Sequence, residues 1–247
     1  MEITTETVRD FCPTGRLRSA LNFGNRVLIG RDSAGRPQGI TADLAQDLAA
    51  RLGVDLEFVE MERAVDAADS ATDGCWDLCF LAVDPKRAET ITFSAPYVQI
   101  DGSYLAGAAC AVATAEELVV SGLPVGSVVG SAYSLTLARQ PGAEHVVYYE
   151  DIYAMFAALD AGEVAAVAGI AAVMAQESQS RPGSRVLSPP FMSIRQAMGL
   201  PYGRPEATAF LHHFTRTCAR SGLIGDILEK HGVARSCALT SEDGSLP

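Results

Sequence analysis

An arginine in the turn after an apolar run is the side chain of this sequence best suited to hold an anion. The run WDLCFLAV, residues 76–83, ends at Asp84-Pro85, and Arg87 follows. A guanidinium offers parallel N–H donors that match the oxygens of a carboxylate. The position also fits a solvated turn arginine, or one paired with Asp84 or Glu89, since most arginines of folded proteins are exposed.

The Gly130-Ser131 step, between the apolar segment PVGSVVG and the helical segment SLTLARQ, is a second place suited to an anion. Backbone N–H groups at a helix N-terminus attract negative charge. A serine there also serves as a plain N-cap, and the two roles are compatible. No Gly-Lys-Ser/Thr follows Gly130, so this segment is not a phosphate-binding P-loop.

Acid–base catalysis needs a positioned side chain that takes up or releases a proton. The sequence offers no good candidate for this role. His212 and His213 fall on a C-terminal helix, His231 lies at a helix end, and His145 precedes a strand. Neither a nucleophile elbow nor a cluster of metal ligands is present in the sequence. Binding is therefore favoured over catalysis, and no catalytic residue, cofactor or metal is predicted.

The elements that must position these residues alternate between strand and helix. Strands are predicted at 16–23, 54–61 and 76–83, and helices at 40–53 and about 63–72. This β-α-β-α-β order predicts a mostly parallel sheet. In the helix at 40–53, Thr41 is expected to be the cap.

The second half of the chain repeats this alternation. It predicts strands at 124–130, 144–150 and 163–170, helices at 134–140, 151–162 and 171–180, an extended segment at 185–201, and helices at 204–222 and 224–232. Residues 1–15 are expected to be loosely held, and residues 235–247 to form a mobile tail.

Composition excludes two classes of partner. The 247 residues suffice for one large domain or two lobes, and the net charge is -11. Such a chain has no basic field for nucleic acid or an anionic membrane. No run approaches the roughly 18 apolar residues that span a bilayer. The first residues lack a leader pattern, so the protein is expected to be cytoplasmic or to have lost a leader.

The six cysteines have no CxxC pair, and CWDLC has the wrong spacing for a thioredoxin motif. Zinc sites of the usual kind need a second pair of ligands, which this segment does not have. Buried free thiols are therefore expected.

Two segments of the sequence, GITADLAQDLAARLG and DPKRAETITFSAPY, are specific in combination. With them the chain resembles the amino-acid-type solute-binding proteins of ABC transporters (bacterial extracellular solute-binding protein family 3), which have the type II periplasmic binding protein fold. The resemblance continues through PVGSVVGSAYS, DIYAMFAALDAGEVAAVAG and LIGDILEKHG, and covers about residues 15–233. The resemblance implies an α/β fold of two lobes, each a mostly parallel sheet flanked by helices.

The family's architecture implies how the chain is divided. Lobe 1 would comprise residues 1–98 plus 195–247, and lobe 2 residues 104–190, with hinge crossings at about 99–103 and 191–194. A small solute would bind in the cleft between the lobes, with no catalysis.

The resemblance also assigns roles to residues. In the family, the arginine of the T-x-x-R-type turn binds the ligand's α-carboxylate, and here it is Arg87. The turn of Gly130, Ser131 and Ala132 would bind the same carboxylate, and Tyr133 would line the pocket as an apolar wall with a polar tip.

Two asparagines follow the first strand, where the family often has an aspartate and an aromatic residue. Asn22 and Asn25 would hydrogen-bond the distal end of the ligand, or would serve only a polar turn.

Departures from the family pattern restrict the class of ligand that is expected. Typical α-amino-acid binders carry an aspartate after the strand that matches EVAAVAG, where it pairs with the ligand's ammonium, and here Ile170 stands at about that position. An enclosed ammonium without a counter-charge is costly. Ala82 and Val83 replace the family's small hydroxyls, and Asp84 would cap the turn or serve an amine. The sequence predicts a carboxylate ligand with little or no positive charge, or an amino compound bound in another way.

Two other functions stay open on the sequence. One is a cytoplasmic ligand sensor or an orphan binding domain, which the lack of a leader pattern favours. The other is a dehydratase-like lyase, since the family's relatives include dehydratases that act on cyclohexadienyl acids. The expected protein partners are the membrane subunits of an ABC transporter, and a monomer is expected.

Overall fold

A computed structural model describes residues 2–239, and the chain divides into two units. One unit contains the chain up to Gln99 together with the chain from Arg195 onward, and the other is Ile100–Ile194. Every helix lies within one unit, whereas two of the strands, at 98–106 and 192–201, run from one unit into the other.

The helices are, in chain order, α1 (Thr5–Phe11), α2 (Ile40–Leu52), α3 (Ala64–Asp69), α4 (Ala115–Ser121), α5 (Ala132–Leu137), α6 (Ile152–Asp160), α7 (Ala171–Gln179), α8 (Pro205–Ser221) and α9 (Leu223–Lys230). The strands are β1 (Arg16–Asn22), β2 (Gly30–Arg31), β3 (Pro37–Gln38), β4 (Asp55–Met61), β5 (Leu78–Ala82), β6 (Ile91–Phe93), β7 (Val98–Ala106), β8 (Val125–Val128), β9 (Val146–Tyr149), β10 (Ala166–Ile170), β11 (Arg185–Val186) and β12 (Met192–Pro201). Within residues 2–239, no helix combines the length and the apolar character that crossing a membrane requires.

The sheet of the first unit is built on three parallel strands in the order β4-β1-β5. Next to them, β12 runs antiparallel to β5, and β6 runs antiparallel to β12. Every residue of β5 is buried, as expected for a continuous apolar strand covered on both faces. Because β1 and β5 run in the same direction, Asn22 and Ala82 lie at the same edge of the sheet.

In the second unit, β10 lies parallel to β8, and β8 lies parallel to β9. On the other side of β10, β7 runs antiparallel, and β11 pairs with β7. Every residue of β10 is buried. The parallel strands β8 and β10 end at one edge, which places Val128 and Ile170 there.

The expectation that residues 1–15 are loosely held is wrong where α1 forms. The Thr4 hydroxyl caps this helix by accepting the N–H of Thr7 at 3.1 Å. Phe11 is buried and meets Phe210 of α8 edge to face, with ring centroids 6.4 Å apart. So short a helix is marginal alone, so packing on α8 stabilises it.

The predicted cap of α2 is also wrong. Thr41 lies inside the helix, and the N-cap residue is Gly39, which makes no side-chain hydrogen bond. A Cβ on Gly39, whose φ is 150°, would lie 2.7 Å from the carbonyl oxygen of Leu28. That oxygen accepts the N–H of Thr41 at 3.1 Å instead. A close backbone approach, which needs a glycine, therefore replaces the side-chain cap.

The expected mobile tail at 235–247 is wrong for its first residues. Arg235–Cys237 form a 3₁₀ turn, and Ala238 forms an antiparallel bridge with Val98. This pairing holds the start of the segment against the first unit. The rest of the predicted tail, residues 240–247, lies outside the described residues.

Candidate functional site

Arg87 opens a 3₁₀ turn just after β5, and its side chain folds back onto the end of that strand. Its Nη1 donates to the carbonyl oxygen of Ala82 at 3.0 Å. Only 4% of Arg87 is exposed, so it is not a solvated turn arginine. A buried guanidinium is costly unless negative groups compensate it.

Asp84 supplies negative charge in the same turn and is likewise only 4% exposed. Its Oδ1 accepts the backbone N–H of Lys86 at 2.9 Å. Burial lowers the pKa of Arg87, and the side chains of Asp84, Cys79 and Asp69 oppose that shift. The end of β5 therefore carries one positive and one negative group, both buried.

Asn22, the last residue of β1, and Asn25, in the turn that follows, differ in what their side chains do. Asn22 Oδ1 accepts the backbone N–H of Gly24 at 3.1 Å, which is turn chemistry. The backbone oxygen of Asn25 accepts the N–H of Leu28 at 3.0 Å. Its side-chain Oδ1 is buried and has no hydrogen-bond partner within the described range. Since an unsatisfied buried acceptor costs about 1–3 kcal/mol, Asn25 is the better candidate of the two for a ligand contact.

Ser131 is the N-cap residue of α5 in the second unit. Its Oγ accepts the N–H of Ser134 at 3.1 Å and donates to the carbonyl oxygen of Val128 at 2.7 Å. Gly130 before it has a φ of 67°, in the left-handed region that favours glycine, and Ala132 begins the helix. The hydroxyl proton is thus directed at the backbone of the turn itself.

Tyr133 and Ile170 are the two large candidate side chains of the second unit, and both pack in largely apolar surroundings. Tyr133 packs on the core of this unit, and burial raises its pKa to about 12, although a hydrogen bond with Ser131 opposes the shift. Ile170 is buried at the end of β10 and provides no side-chain cap for α7. Its neighbours Gly169 and Ala171 carry no charge either, so this strand end offers no counter-charge to a cation.

The candidates form one group in each unit. The first unit holds Asn22, Asn25, Ala82, Asp84 and Arg87, and the second holds Gly130, Ser131, Ala132, Tyr133 and Ile170. Within each unit the parallel strands bring their carboxyl ends to one edge, the edge at which open α/β sheets bind ligands. Their roles in binding stay predictions.

Sequence reasoning missed three buried hydroxyl groups. Ser19 in β1, Tyr97 and Ser127 in β8 are fully buried, and their hydroxyl oxygens lack a hydrogen-bond partner among residues 2–239. A polar residue inside an apolar strand is the signal that points to the two serines.

Metal ligands and cysteine thiols were also considered as possible site residues. The described residues contain no group of three or more His, Cys, Asp or Glu side chains placed to hold a metal ion. All six cysteines are free thiols, of which Cys75 and Cys237 are half-buried and the others buried.

A cavity of about 390 Å³ lies on the second unit, beside the ends of β7, α6 and α7. None of the candidate residues lines it. Its one basic residue, Arg181, is paired with Asp160 at 2.7 Å and with Glu177 at 2.6 Å. The cavity is therefore separate from the candidate site.

Alkaline pH is expected to destabilise the fold. Burial raises the pKa of Tyr104 and of Tyr133 from 10.0 to about 12, and that of the Cys79 thiol from 9.0 to about 12. In this window the unfolded chain has lost protons that the folded protein keeps, so the free energy of unfolding falls as pH rises. Thermal melting from neutral pH to about pH 12 measures the effect. A melting temperature that stays constant across this pH range would contradict the raised pKa values of these buried groups.

Solved structures of amino-acid-binding proteins share this fold at low sequence identity. A mutant of ArgBP from T. maritima is 21% identical with a TM-score of 0.77, and the match covers 92% of this chain and 99% of that chain. The ancestral amino acid-binding protein AncCDT-1, a precursor of cyclohexadienyl dehydratase, is 21% identical with a TM-score of 0.75, over 91% and 98% of the chains. The solute receptor for L-cysteine of Neisseria gonorrhoeae is 19% identical with a TM-score of 0.77, over 91% and 92%. These likenesses confirm the predicted α/β, type II periplasmic binding protein fold.

Sequence comparison gives the family. No curated protein sequence matches the chain. The family model of the bacterial extracellular solute-binding proteins, family 3, matches residues 28–234, a range that includes most of both units and every candidate residue after Asn25. The chain therefore belongs to the bacterial extracellular solute-binding proteins, family 3.

Proposed function

We propose that this protein binds a small carboxylate-bearing solute and releases it unchanged, as the substrate-binding component of an ABC transporter. The observation that carries the proposal is Arg87, a buried guanidinium held at the end of β5 in a chain of a solute-binding family. Planar N–H groups in a fixed position match a carboxylate in both charge and shape.

The distribution of basic residues also favours Arg87. Of the 19 lysines and arginines, the second unit contains three: Arg139, Arg181 and Arg185. Arg139 is exposed and follows the end of α5, Arg181 is paired with two carboxylates, and Arg185 donates to two backbone carbonyl groups. The cation for an anionic solute is therefore expected to come from the first unit.

The Gly130-Ser131 turn is the proposed second contact, through its backbone N–H groups. Its hydroxyl already donates to Val128, so the backbone is the more suitable donor there. For the distal end of the solute, the buried and unsatisfied Oδ1 of Asn25 is the proposed partner.

Similar structures support an amino-acid-like solute. They include an arginine-bound form of ArgBP from T. maritima, an ancestral arginine-binding protein bound to glutamine, and a solute receptor for L-cysteine. Arginine, glutamine and cysteine each carry one carboxylate, which a single guanidinium can bind.

A dehydratase-like lyase is the second candidate, because one structural neighbour is a precursor of cyclohexadienyl dehydratase. The histidines give this candidate little support. His231 is hydrogen-bonded to Asp43 at 2.8 Å, and His212 and His213 lie on α8. Recovery of the solute unchanged distinguishes binding from this chemistry.

Native mass spectrometry, followed by a thermal-shift screen of amino acids and amine-free carboxylates, tests the proposal. At least one carboxylate is expected to raise the melting temperature with concentration, because a ligand that binds only the folded state stabilises it. Size-exclusion chromatography with light scattering is expected to show a monomer. If no carboxylate shifts the melting temperature, carboxylate binding is contradicted, and if the bound acid is converted, the lyase is supported.

A further inference from the structure

Strand β9 is the last strand of the sheet, and it carries large hydrophobic side chains that are exposed. Among residues 2–239, β9 pairs only with β8. Val147 is 40% exposed and Tyr148 is 47% exposed, although both lie inside the strand. Close to the ends of β8 and β9, Val129 and Tyr153 are exposed as well. Four of the six exposed large hydrophobic side chains of the described residues therefore lie at this edge of the sheet.

The backbone of β9 is open on the side away from β8. The N–H of Val129 donates to the carbonyl oxygen of Tyr149 at 2.9 Å, so Tyr149 directs its carbonyl group toward β8. Along a strand, successive residues direct their backbone groups to opposite sides. Val146 and Tyr148 therefore direct their N–H and C=O groups away from β8. Such outward groups are a template for one more strand.

This edge also lacks the devices that usually keep an edge strand from pairing. Lysine, proline and β-bulges are the common ones. The sequence has no lysine, arginine or proline between Pro141 and Arg181. The pairing of β8 with β9 continues without a bulge from Val125 to Val128. An exposed apolar patch on an open edge indicates a surface that binds another chain.

Negative charge around β9 restricts which chain this can be. Glu144 precedes the strand, Asp151 follows it, and Glu163 lies close to it, and all three are exposed. Burial raises the pKa of Tyr149, and the charge of Glu163 raises it further. The second unit as a whole has nine aspartates and glutamates against three arginines. A partner that carries positive charge is therefore favoured.

A second copy of this protein is disfavoured as the partner. Antiparallel pairing of two β9 strands, centred on Val147 and Tyr148, would bring Glu144 of each copy beside Asp151 of the other. Like charges directly opposite each other in a sheet destabilise the pairing.

We propose that the β9 edge, residues 146–149, binds an extended segment of another protein that carries basic side chains. The segment adds one strand to the sheet through backbone hydrogen bonds with Val146 and Tyr148. Its apolar side chains cover Val147 and Tyr148, and its lysines or arginines lie near the acidic residues around the strand. The inference goes beyond solute binding and does not depend on it, since no candidate site residue lies in β9.

Panning of a phage library of random 12-residue peptides against the full protein tests the proposal. The wild type is expected to enrich peptides of net positive charge that are rich in β-branched and aromatic residues and have no central proline. Tyr148→Pro removes an outward N–H and no hydrogen bond to β8, so it is expected to enrich none of them. Recovery of the same peptides from both proteins, enrichment of acidic or neutral peptides, or no enrichment at all would overturn the proposal.

Fluorescence anisotropy with the most enriched peptide measures the size of the effect. Tyr148→Pro is expected to weaken binding by about tenfold or more, because a hydrogen bond and an apolar contact are lost. Glu163→Lys is expected to weaken binding as well, since it places a positive charge near a basic peptide. Tyr202→Thr removes an exposed ring of the first unit and is the control, which should bind as wild type. Equal affinities of Tyr148→Pro and the wild type would contradict strand addition at β9.

Hydrogen exchange of the wild-type protein gives the same answer if Tyr148→Pro does not fold. The enriched peptide is expected to slow the exchange of the N–H groups of Val146 and Tyr148 by roughly tenfold or more, because they become hydrogen-bonded. Unchanged exchange at these two positions with the peptide bound would overturn the proposal. A dimer of the free protein whose formation protects the same two N–H groups would also overturn it, since a second copy would then occupy the edge.

Discussion

Replacement of Arg87 by alanine is expected to lower the affinity for the solute by roughly 100-fold or more. A hydrogen bond to a charged group contributes about 1.5–3 kcal/mol, and about 1.4 kcal/mol corresponds to tenfold in Kd. A bidentate contact with the carboxylate loses more than one such bond. Calorimetric titration with the solute found in the thermal-shift screen measures the loss.

Two further variants make the Arg87 result specific. Arg87→Lys keeps the charge without the planar fork, so an intermediate loss of about tenfold is expected. Arg216→Ala, at an exposed position of α8, is the matched control and should leave the affinity unchanged. Because Arg87→Ala leaves Asp84 buried beside a lost cation, circular dichroism must first establish that the variant is folded. A folded Arg87→Ala protein with wild-type affinity would contradict the proposed role.

Replacement of Asp77 by asparagine is expected to produce a large loss of stability. Asp77 is fully buried and accepts hydrogen bonds from Nε of Arg18 at 2.9 Å and from Nη1 of Arg204 at 3.0 Å. Arg204 also donates to the carbonyl oxygen of Phe11, so this carboxylate ties β1 to α1 and to the start of α8. Removal of one partner of a buried ion pair costs about 3–5 kcal/mol.

In a protein of this size, such a loss corresponds to a decrease of roughly 10 °C in melting temperature. Denaturant unfolding of the wild type and of Asp77→Asn gives the change in the free energy of unfolding. Asp73→Asn, an exposed neighbour in the same segment, should stay within about 0.5 kcal/mol of the wild type. A change in Asp77→Asn no larger than that of Asp73→Asn would show that the ion network does not stabilise the fold.

The sequence was sufficient for elements whose own pattern determines them. The apolar run of β5 and the amphipathic pattern of α2 each predict an element that the structure contains. The sequence was insufficient where a contact with a distant part of the chain determines whether a helix forms or where it begins. Helix α1 depends on the packing of Phe11 against Phe210, and the start of α2 depends on the backbone of Leu28 approaching Gly39. Neither contact leaves a local pattern.

The candidate site shows the same division. Residue type and position predict that Arg87, in the turn after β5, is suited to an anion. The sequence does not distinguish a solvent-exposed Arg87 from a buried one, because its 4% exposure results from the fold. Asn22 and Asn25 likewise look equivalent in the sequence. The structure separates them, because only Asn22 satisfies its side-chain oxygen within the turn.

The most direct test of carboxylate recognition is a calorimetric comparison of the bound acid with its neutral carboxamide. The pair has nearly the same size and shape, so the difference reports the charge that Arg87 is proposed to hold. We expect saturable one-to-one binding of the acid, and an affinity for the carboxamide lower by roughly 100-fold. Equal affinities for the acid and the carboxamide would contradict the proposal that this protein recognises its solute through a carboxylate.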